Sequence, residues 1–317
     1  MHSLIEILQD GQFHSGEELG ERLAISRAGV WKKLQRLEAD YGLQIVAIKG
    51  RGYCLKHPLS LLNSQRLNQA DLGLDVYCVE SLVSTNTYAQ SLAKESPAKS
   101  FAVLAERQTS GRGRRGRQWQ SPYAENLYLS LVVPITGGLR QLEGISLVVG
   151  LAVLNTLKAF GIKDAGVKWP NDVLVADKKI AGVLLELSGD PADCASLVIG
   201  IGLNVNMQED SAITQAWTSM AVELGALLDR NQVSIALLRQ LNVTLERFFA
   251  DSFSSFKCEW EADHLWQGKE ALLSSGEHVI HGTIMGVDDG GALRLCVEGV
   301  ERVFSGGELS LRLAHDS

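Results

Sequence analysis

Apolar residues open the chain with helical spacing: Leu4, Ile5 and Leu8, then Leu19 and Leu23, then Val30, Leu34 and Leu37. Residues three and four apart share one face of a helix, so the pattern predicts three short helices with a common core. Ser26 stands where an N-cap would open the third, and Ala24-Ile25-Ser26 leaves room only for a turn between Leu23 and Arg27. The outline is a helix-turn-helix at about 16–35 within an N-terminal domain of 1–60. After Gly42 the run LQIVAIKGRGYCL predicts two short strands turning at Lys49, Gly50, Arg51 and Gly52, the wing of a winged helix.

The segment at about 61–68, within SLLNSQRL, reads as a linker into an α/β body of 61–268. Strand patterns follow at DVYCVE, FAVLAE, NLYLSLVV, GVKW, VLVA, IAGVLLELS and SLVIGIGLNV. An amphipathic helix is predicted near Glu143 to Phe160, and later helices near Met220 to Leu228 and Ile235 to Trp266. VLVA and IAGVLLEL follow one another across Asp177-Lys178 with no helix between them, which predicts a mixed sheet. From Lys269 the texture becomes short strands with glycine-rich turns, and 269–317 reads as a small antiparallel barrel. There is no internal repeat and no low-complexity tract.

Composition narrows the class. The 317 residues, 45% hydrophobic and 21% charged, suit a soluble chain of two or three domains. A formal charge of -7 excludes a protein that coats nucleic acid along its length, so any such contact must be local. One patch qualifies: Arg22, Arg27, Lys32, Lys33, Arg36, Lys49, Arg51 and Lys56 face only Glu38 and Asp40, a net +6 in that stretch. With Val30, Leu34 and Leu37 inward, Arg27, Lys32, Gln35 and Arg36 turn toward a possible major groove, and Lys49 and Arg51 toward phosphates. The other reading of the patch is a winged helix that makes protein contacts with a solvated basic face. Cys54, Cys78, Cys194, Cys258 and Cys296 are scattered and never in C-x-x-C spacing, so a reducing cytoplasm is expected rather than a disulfide framework. The start MHSLIEILQD lacks the parts of a secretory signal. The apolar run Leu147 to Leu154 falls short of the roughly 18 to 20 residues that span a bilayer, so no membrane role is expected.

The chemistry starts at Gly111 to Arg117, GRGRRGR, four arginines and three glycines. Glycines let a loop close on an anionic ligand while guanidinium forks bind its oxygens. Arginine-glycine tracts also bind RNA, and composition alone leaves both readings open. Here FAVLAE precedes the tract, Trp119 and Tyr123 follow it, and NLYLSLVVP comes next, so it belongs to a folded domain. Lys168 to Asp172, KWPND, sets an ammonium, an indole, an amide and a carboxylate around a turn stiffened by Pro170, and Lys179 stands seven residues beyond Asp172. Ser84, Thr85 and Asn86 fit a helix N-cap, and the same side chains can face a pocket.

Taken together, STN at 84–86, Gln108 with GRGRRGR, KWPND, Lys179, GIGLNVN at 200–206 and FSGGELSLR at 304–312 resemble the bifunctional biotin protein ligases that also repress the biotin operon. With the winged helix ahead of them, these motifs cover nearly the whole chain. The resemblance implies an operator-binding domain, a central ligase domain with an SH2-like mixed sheet and a C-terminal SH3-like β-barrel. It implies the substrates biotin and ATP, with Mg²⁺ carried by the nucleotide and held by no protein-only cage. The product biotinoyl-5'-AMP would pass its acyl group to a lysine of biotin carboxyl carrier protein, and would also act as corepressor by favouring a homodimer on operator DNA.

By match to the family's motifs, Ser84, Thr85, Asn86, Gln108, Arg112, Gly113, Arg114 and Lys179 would surround biotin. Trp119, Asn171, Asn204 and Trp217 would attend the adenylate, with Trp119 near the adenine side. Arg114, Lys168, Asp172 and Lys179 would carry the chemistry. The polar run QEDSAITQA before Trp217 is shorter than the family pattern. A lipoate ligase shares the fold and the acyl-adenylate logic, but it needs an apolar tunnel and would not be expected to carry GRGRRGR. A repressor with a dead ligase domain would have lost Lys179 or the arginine loop.

Overall fold

The computed structural model describes residues 2–96, 98–135, 138–190, 194–275, 278–306 and 309–314. Its first helices are α1 (His2–Leu8), α2 (Gly16–Leu23) and α3 (Arg27–Tyr41). The Ser15 hydroxyl accepts from the Glu18 amide at 3.0 Å and Ser26 from the Gly29 amide at 3.2 Å, supplying partners that a helix's first turn lacks. Gly42 ends α3 in the left-handed region at φ 71°. Leu4, Ile5, Leu8, Leu19, Val30, Leu34 and Leu37 meet in one core, as their spacing predicts. Strands β1 (Ile45–Ile48) and β2 (Gly52–Leu55) pair antiparallel, from Ile45 opposite Leu55 to Ile48 opposite Gly52, and form the wing.

The expected linker is a docked segment. Helix α4 (Ser64–Asn68) starts inside it, and Asn63 caps that helix by accepting from the Arg66 amide at 2.8 Å. Just before it, the Ser60 carbonyl accepts from Arg230 Nε at 2.9 Å, and the Leu62 amide donates to Glu106 Oε1 at 2.6 Å. The Asn63 amide donates to Asn231 Oδ1 at 2.8 Å. Backbone groups that would face water in a linker are thus satisfied by the central α/β body.

That body is a seven-stranded sheet built from β3 (Asp75–Leu82), β4 (Phe101–Gln108), β5 (Leu127–Ile135), β6 (Ala165–Lys168), β7 (Asp172–Val175), β8 (Lys178–Asp190) and β9 (Cys194–Leu203). The order is β3-β4-β5-β9-β8-β7-β6, with β3 and β4 parallel and every other pair antiparallel. The mixed sheet expected from the helix-free connections is therefore present. Helix α5 (Thr85–Glu95) packs on β4, β5, β8 and β9.

Helix α6 (Ile145–Ala159) departs from expectation: it is buried nearly all round, not amphipathic. It lies between the sheet and α8 (Arg230–Asp251), so both of its faces are interior. The stretch Arg140–Ala159 has the length and hydropathy of a membrane span, and this helix spends them on the core. Each fully buried Leu or Val there contributes about 1.5–3 kcal/mol.

Three later helices also differ from the sequence reading. Helix α7 (Met220–Leu224) stops at Gly225 in the left-handed region, short of Leu228. Helix α8 begins earlier than predicted, where the Asp229 carboxylate accepts from the Asn231 amide, and ends at Ser252, whose φ is 60°. Helix α9 (Lys257–Ala262) follows as a separate piece, so no continuous helix reaches Trp266.

The C-terminal sheet has the order β13-β12-β11-β10-β14, formed by β10 (Glu270–Ser275), β11 (His278–Val287), β12 (Leu293–Val297), β13 (Val300–Phe304) and β14 (Ser310–Leu313), all antiparallel. Gly307 and Glu308 of FSGGELSLR lie outside the described residues. This β-rich region shares one continuous core with the seven-stranded sheet, through Leu273, Ile284, Leu293 and Leu295. Trp169 joins the two: its buried indole donates to the Gly291 carbonyl at 3.1 Å.

Arg230 is fully buried and ion-paired with Glu106, and its Nη1 donates to the Asn126 carbonyl at 2.8 Å. Removing one partner of such a pair strands the other charge in the interior. Glu106→Ala is therefore expected to lose about 3–5 kcal/mol, read by denaturant titration; a loss below about 1 kcal/mol would show that the pair holds nothing together.

Candidate functional site

Two clusters of side chains stand on the same sheet. The first gathers around the start of α5. Ser84, Thr85 and Asn86 are all buried, and Ser84 occupies the N-cap position although its hydroxyl makes no capping bond. Gln108, at the end of β4, accepts through Oε1 from the Thr85 amide at 2.8 Å and the Thr85 hydroxyl at 3.1 Å, and donates through Nε2 to Ser121 at 3.1 Å. Ser130 on β5 lies 2.8 Å from Thr85 Oγ1 and 2.5 Å from Asn86 Oδ1. Asn86 Nδ2 donates to Glu186 Oε2 at 2.7 Å, and Arg112 binds the same carboxylate oxygen at 3.0 Å and Thr87 at 3.1 Å. The sequence reading missed Ser121, Ser130 and Glu186, which no motif marks: strand register brings Ser130 and Glu186 here, and the return of the loop after Trp119 brings Ser121.

Asn86 lies so close to the sheet that a Cβ on Gly200 would stand 2.4 Å from its side-chain oxygen. Further along the same strand, a Cβ on Gly202 would meet the Trp119 indole at 2.3 Å. The repeated glycines of GIGLNVN therefore form a bare floor on which side chains, or a flat ligand, lie against backbone. Trp119 rests on that floor, half-buried, with its Nε1 unpartnered among the described residues and Lys179 Nζ 5.4 Å from its ring centre. It adjoins Lys179 across Gly182.

The second cluster is the hairpin β6–β7 that KWPND closes. Lys168 sits opposite Asp172, and Asp172 opposite Gly182 of β8. Lys179 Nζ pairs with Asp172 Oδ1 at 2.6 Å, and both are mostly buried. Lys168 Nζ stands 4.2 Å above the Trp266 ring. Burial pulls the Lys168 ammonium down from its ordinary value; Asp172 opposes this, and Lys179, Arg312 and Arg117 reinforce it. Arg114 reaches in from the loop, donating to Asn171 Oδ1 at 3.2 Å and the Leu309 carbonyl at 3.5 Å. Asn171 in turn donates to the Val183 carbonyl at 2.7 Å. Burial lowers the Arg114 guanidinium too, with Asp172 opposing. His264 stacks on Trp260 at 4.5 Å; burial pushes it down to about 4 against the Gln267 hydrogen bond, so it is neutral at pH 7. Trp169 is the member of KWPND that leaves the cluster, its indole belonging to the core.

The arginine loop is a narrow turn with its own bonds: the Gly113 amide donates to the Arg117 carbonyl at 2.7 Å, and the Trp119 amide to the Gly111 carbonyl at 2.9 Å. Asn204 and Trp217 lie at the far end of the glycine floor. Asn204 Nδ2 donates to the Thr218 carbonyl at 2.9 Å. Trp217 runs parallel to Lys179, whose amide donates to Ala216 at 3.0 Å and whose carbonyl accepts from Thr218 at 3.0 Å.

Arg27, Lys32, Gln35, Arg36, Lys49 and Arg51 are all exposed on the winged helix. Arg51 is steadied by Phe13, whose ring centre lies 4.4 Å from its guanidinium carbon. The far end of α3 touches the central α/β body. Tyr41 donates to Glu80 at 2.9 Å and meets Tyr123 edge-on at 4.7 Å, while Arg107 stacks on Tyr41 at 4.6 Å and binds the Asp40 carbonyl.

A polar pocket, a glycine floor and a cationic hairpin suit a small uncharged head group whose tail reaches a phosphate-binding site. Known proteins share the sequence and the fold. Residues 78–204 match the model of the biotin/lipoate A/B protein ligase family, and residues 1–54 that of an HTH domain. The bifunctional ligase/repressor BirA of Escherichia coli (strain K12) is 40% identical over 314 residues, 98% of this chain and 97% of that protein. The biotin--[acetyl-CoA-carboxylase] ligase of Paracoccus denitrificans is 33% identical over 67% of this chain and 90% of its own. The solved biotin protein ligase from Aquifex aeolicus in complex with biotin and ATP superposes with a TM-score of 0.66 at 34% identity, covering 75% of this chain and 99% of that one. With this sequence, this fold and these relatives, the chain belongs to the family of bifunctional biotin ligase/repressors.

Proposed function

We propose that the chain joins biotin to ATP to give biotinoyl-5'-AMP and pyrophosphate, then transfers the biotinoyl group to a lysine of the biotin carboxyl carrier protein of acetyl-CoA carboxylase. The observation that carries this reading is the network of Thr85, Asn86, Gln108 and Ser130 beside Gly200. A ureido ring is flat and uncharged and needs paired donors and acceptors, which amide and hydroxyl side chains supply. Ser84, Arg112 and Gly113 complete that end, with the Arg112 charge balanced by Glu186.

In the first step a biotin carboxylate oxygen bonds to the α-phosphorus and pyrophosphate leaves. Two anions must meet, so Arg114, Lys168 and Lys179 screen their charge and stabilise what develops on phosphorus. Mg²⁺ enters with ATP, and we assign Asn204 to the nucleotide or its metal, with Asn171, Trp119 and Trp217 around the adenylate. In the second step the carrier amine forms a bond to the acyl carbon and AMP departs. An ammonium with an ordinary pKa near 10.4 must first lose a proton. Asp172, beside Lys179, is a candidate acceptor for it, and solvent is the other.

We assign the winged helix, 1–60, to operator DNA through Arg27, Lys32, Gln35, Arg36, Lys49 and Arg51. The ligase domain is 61–268 and the C-terminal domain 269–317. The adenylate serves as corepressor for biotin synthesis genes by favouring a homodimer. A cytoplasmic setting suits the free thiols at Cys54, Cys78, Cys258 and Cys296.

Protein incubated with ATP, biotin and a carrier domain is expected to yield biotinylated carrier, and lipoate in place of biotin to yield none. Lys179→Ala should slow the reaction about 10²–10³-fold, the worth of one transition-state charge partner. Carrier left unmodified by the intact protein would refute the ligase reading. Arg114→Gly is expected to release adenylate and raise labelling of bystander proteins, while melting stays within a few degrees. A variant as selective as the parent would remove Arg114 from adenylate retention. Sedimentation with biotin and ATP should show a doubled mass at micromolar protein, and an unchanged mass would rule out ligand-driven dimerisation.

A further inference from the structure

Helix α3 carries a residue that neither the ligase chemistry nor its own cations explain. Trp31 is 51% exposed, while Trp169, Trp260 and Trp266 are buried and Trp119 and Trp217 partly so. Among the described residues no ring, cation or hydrogen-bond partner engages Trp31. An indole in water leaves a large apolar surface unburied, and its N–H is a donor that usually finds a partner once covered. What surrounds it points to the occupant. Trp31 lies one turn after Arg27 and one turn before Gln35, next to Lys32, all of them exposed. It also falls in the N-terminal half of the helix, the part that reaches base edges when a recognition helix enters the major groove.

We propose that Trp31 reads sequence, packing its indole against the C5-methyl group of a thymine in each operator half-site while Arg27, Lys32 and Arg36 hold phosphates and base edges. The inference rests on the DNA-binding reading of the winged helix and adds to it a specificity residue. Cations supply most of the affinity and little of the sequence preference. The major groove offers an apolar side chain one apolar feature, the thymine methyl. An exposed indole set among phosphate-seeking cations fits that feature; the charge calls for an anionic partner, and a helix that offers its N-terminal half to the major groove makes that partner duplex DNA.

The test uses the full chain loaded with biotin and ATP. A duplex is enriched on it from a randomised pool, and each thymine is then replaced singly by uracil, which deletes only the methyl group. The intact protein is expected to lose about fourfold in affinity at one position per half-site, the worth of one buried methyl. Trp31→Ala is expected to bind the parent duplex about tenfold more weakly and to be indifferent to uracil at that position, while biotinylating carrier at the parent rate. Lys49→Ala, by contrast, should weaken every duplex alike and flatten the salt dependence. If Trp31→Ala keeps the same sensitivity to uracil as the parent, the proposal is wrong. A changed sedimentation mass with unchanged duplex binding would also overturn it, making Trp31 a protein contact. A pool that enriches no sequence would remove the operator reading itself, and this inference with it.

Discussion

The buried guanidinium of Arg230 is the constraint on which much of the molecule hangs. It neutralises Glu106, donates to the Ser60 carbonyl and to the Asn126 carbonyl, and thereby fixes the connector, β4 and the start of β5 relative to the first turn of α8. A charge so deep in the core is tolerable only when it is paired and hydrogen-bonded, as all three nitrogens of this guanidinium are. The geometry that satisfies it also sets where the winged helix joins the ligase body, because Glu106 holds the Leu62 amide as well. One residue beyond Glu106 the strand delivers Arg107 and then Gln108, the anchors of the domain contact and of the polar pocket.

Much of this was legible in the sequence, for local reasons. Ser26 caps α3 because a side-chain oxygen two or three residues ahead of a free amide needs no distant partner. KWPND assembles its charges because a tight hairpin puts Lys168 opposite Asp172 whatever surrounds it. The seven strands of the ligase sheet stood out as short apolar runs, and each lies close to where the pattern places it.

What escaped depends on partners far along the chain. Ser60 reads as linker until Arg230, 170 residues away, is seen to bind it. Ser130 and Glu186 carry no motif and join the pocket only through sheet register. Helix α6 has the apolar content of a one-sided helix packed more densely, and only the arrival of α8 shows that its outer face is also interior. The break at Ser252 lacks the glycine or proline that usually announces one; a serine in the left-handed region makes the turn instead. Trp119 and Trp169 look alike beside their motifs, yet one lies on the glycine floor and the other ties the C-terminal sheet to the core.

Side chains alternate across a β-strand, so neighbours on β4 serve different masters. Gln108 belongs to the pocket, and Arg107 to the carbonyl end of the helix assigned to DNA. The two are one peptide apart, about 3.8 Å between Cα atoms. Chemistry at one end of this molecule and reading at the other thus share a single backbone link, and a small twist of that strand would be felt on both sides at once.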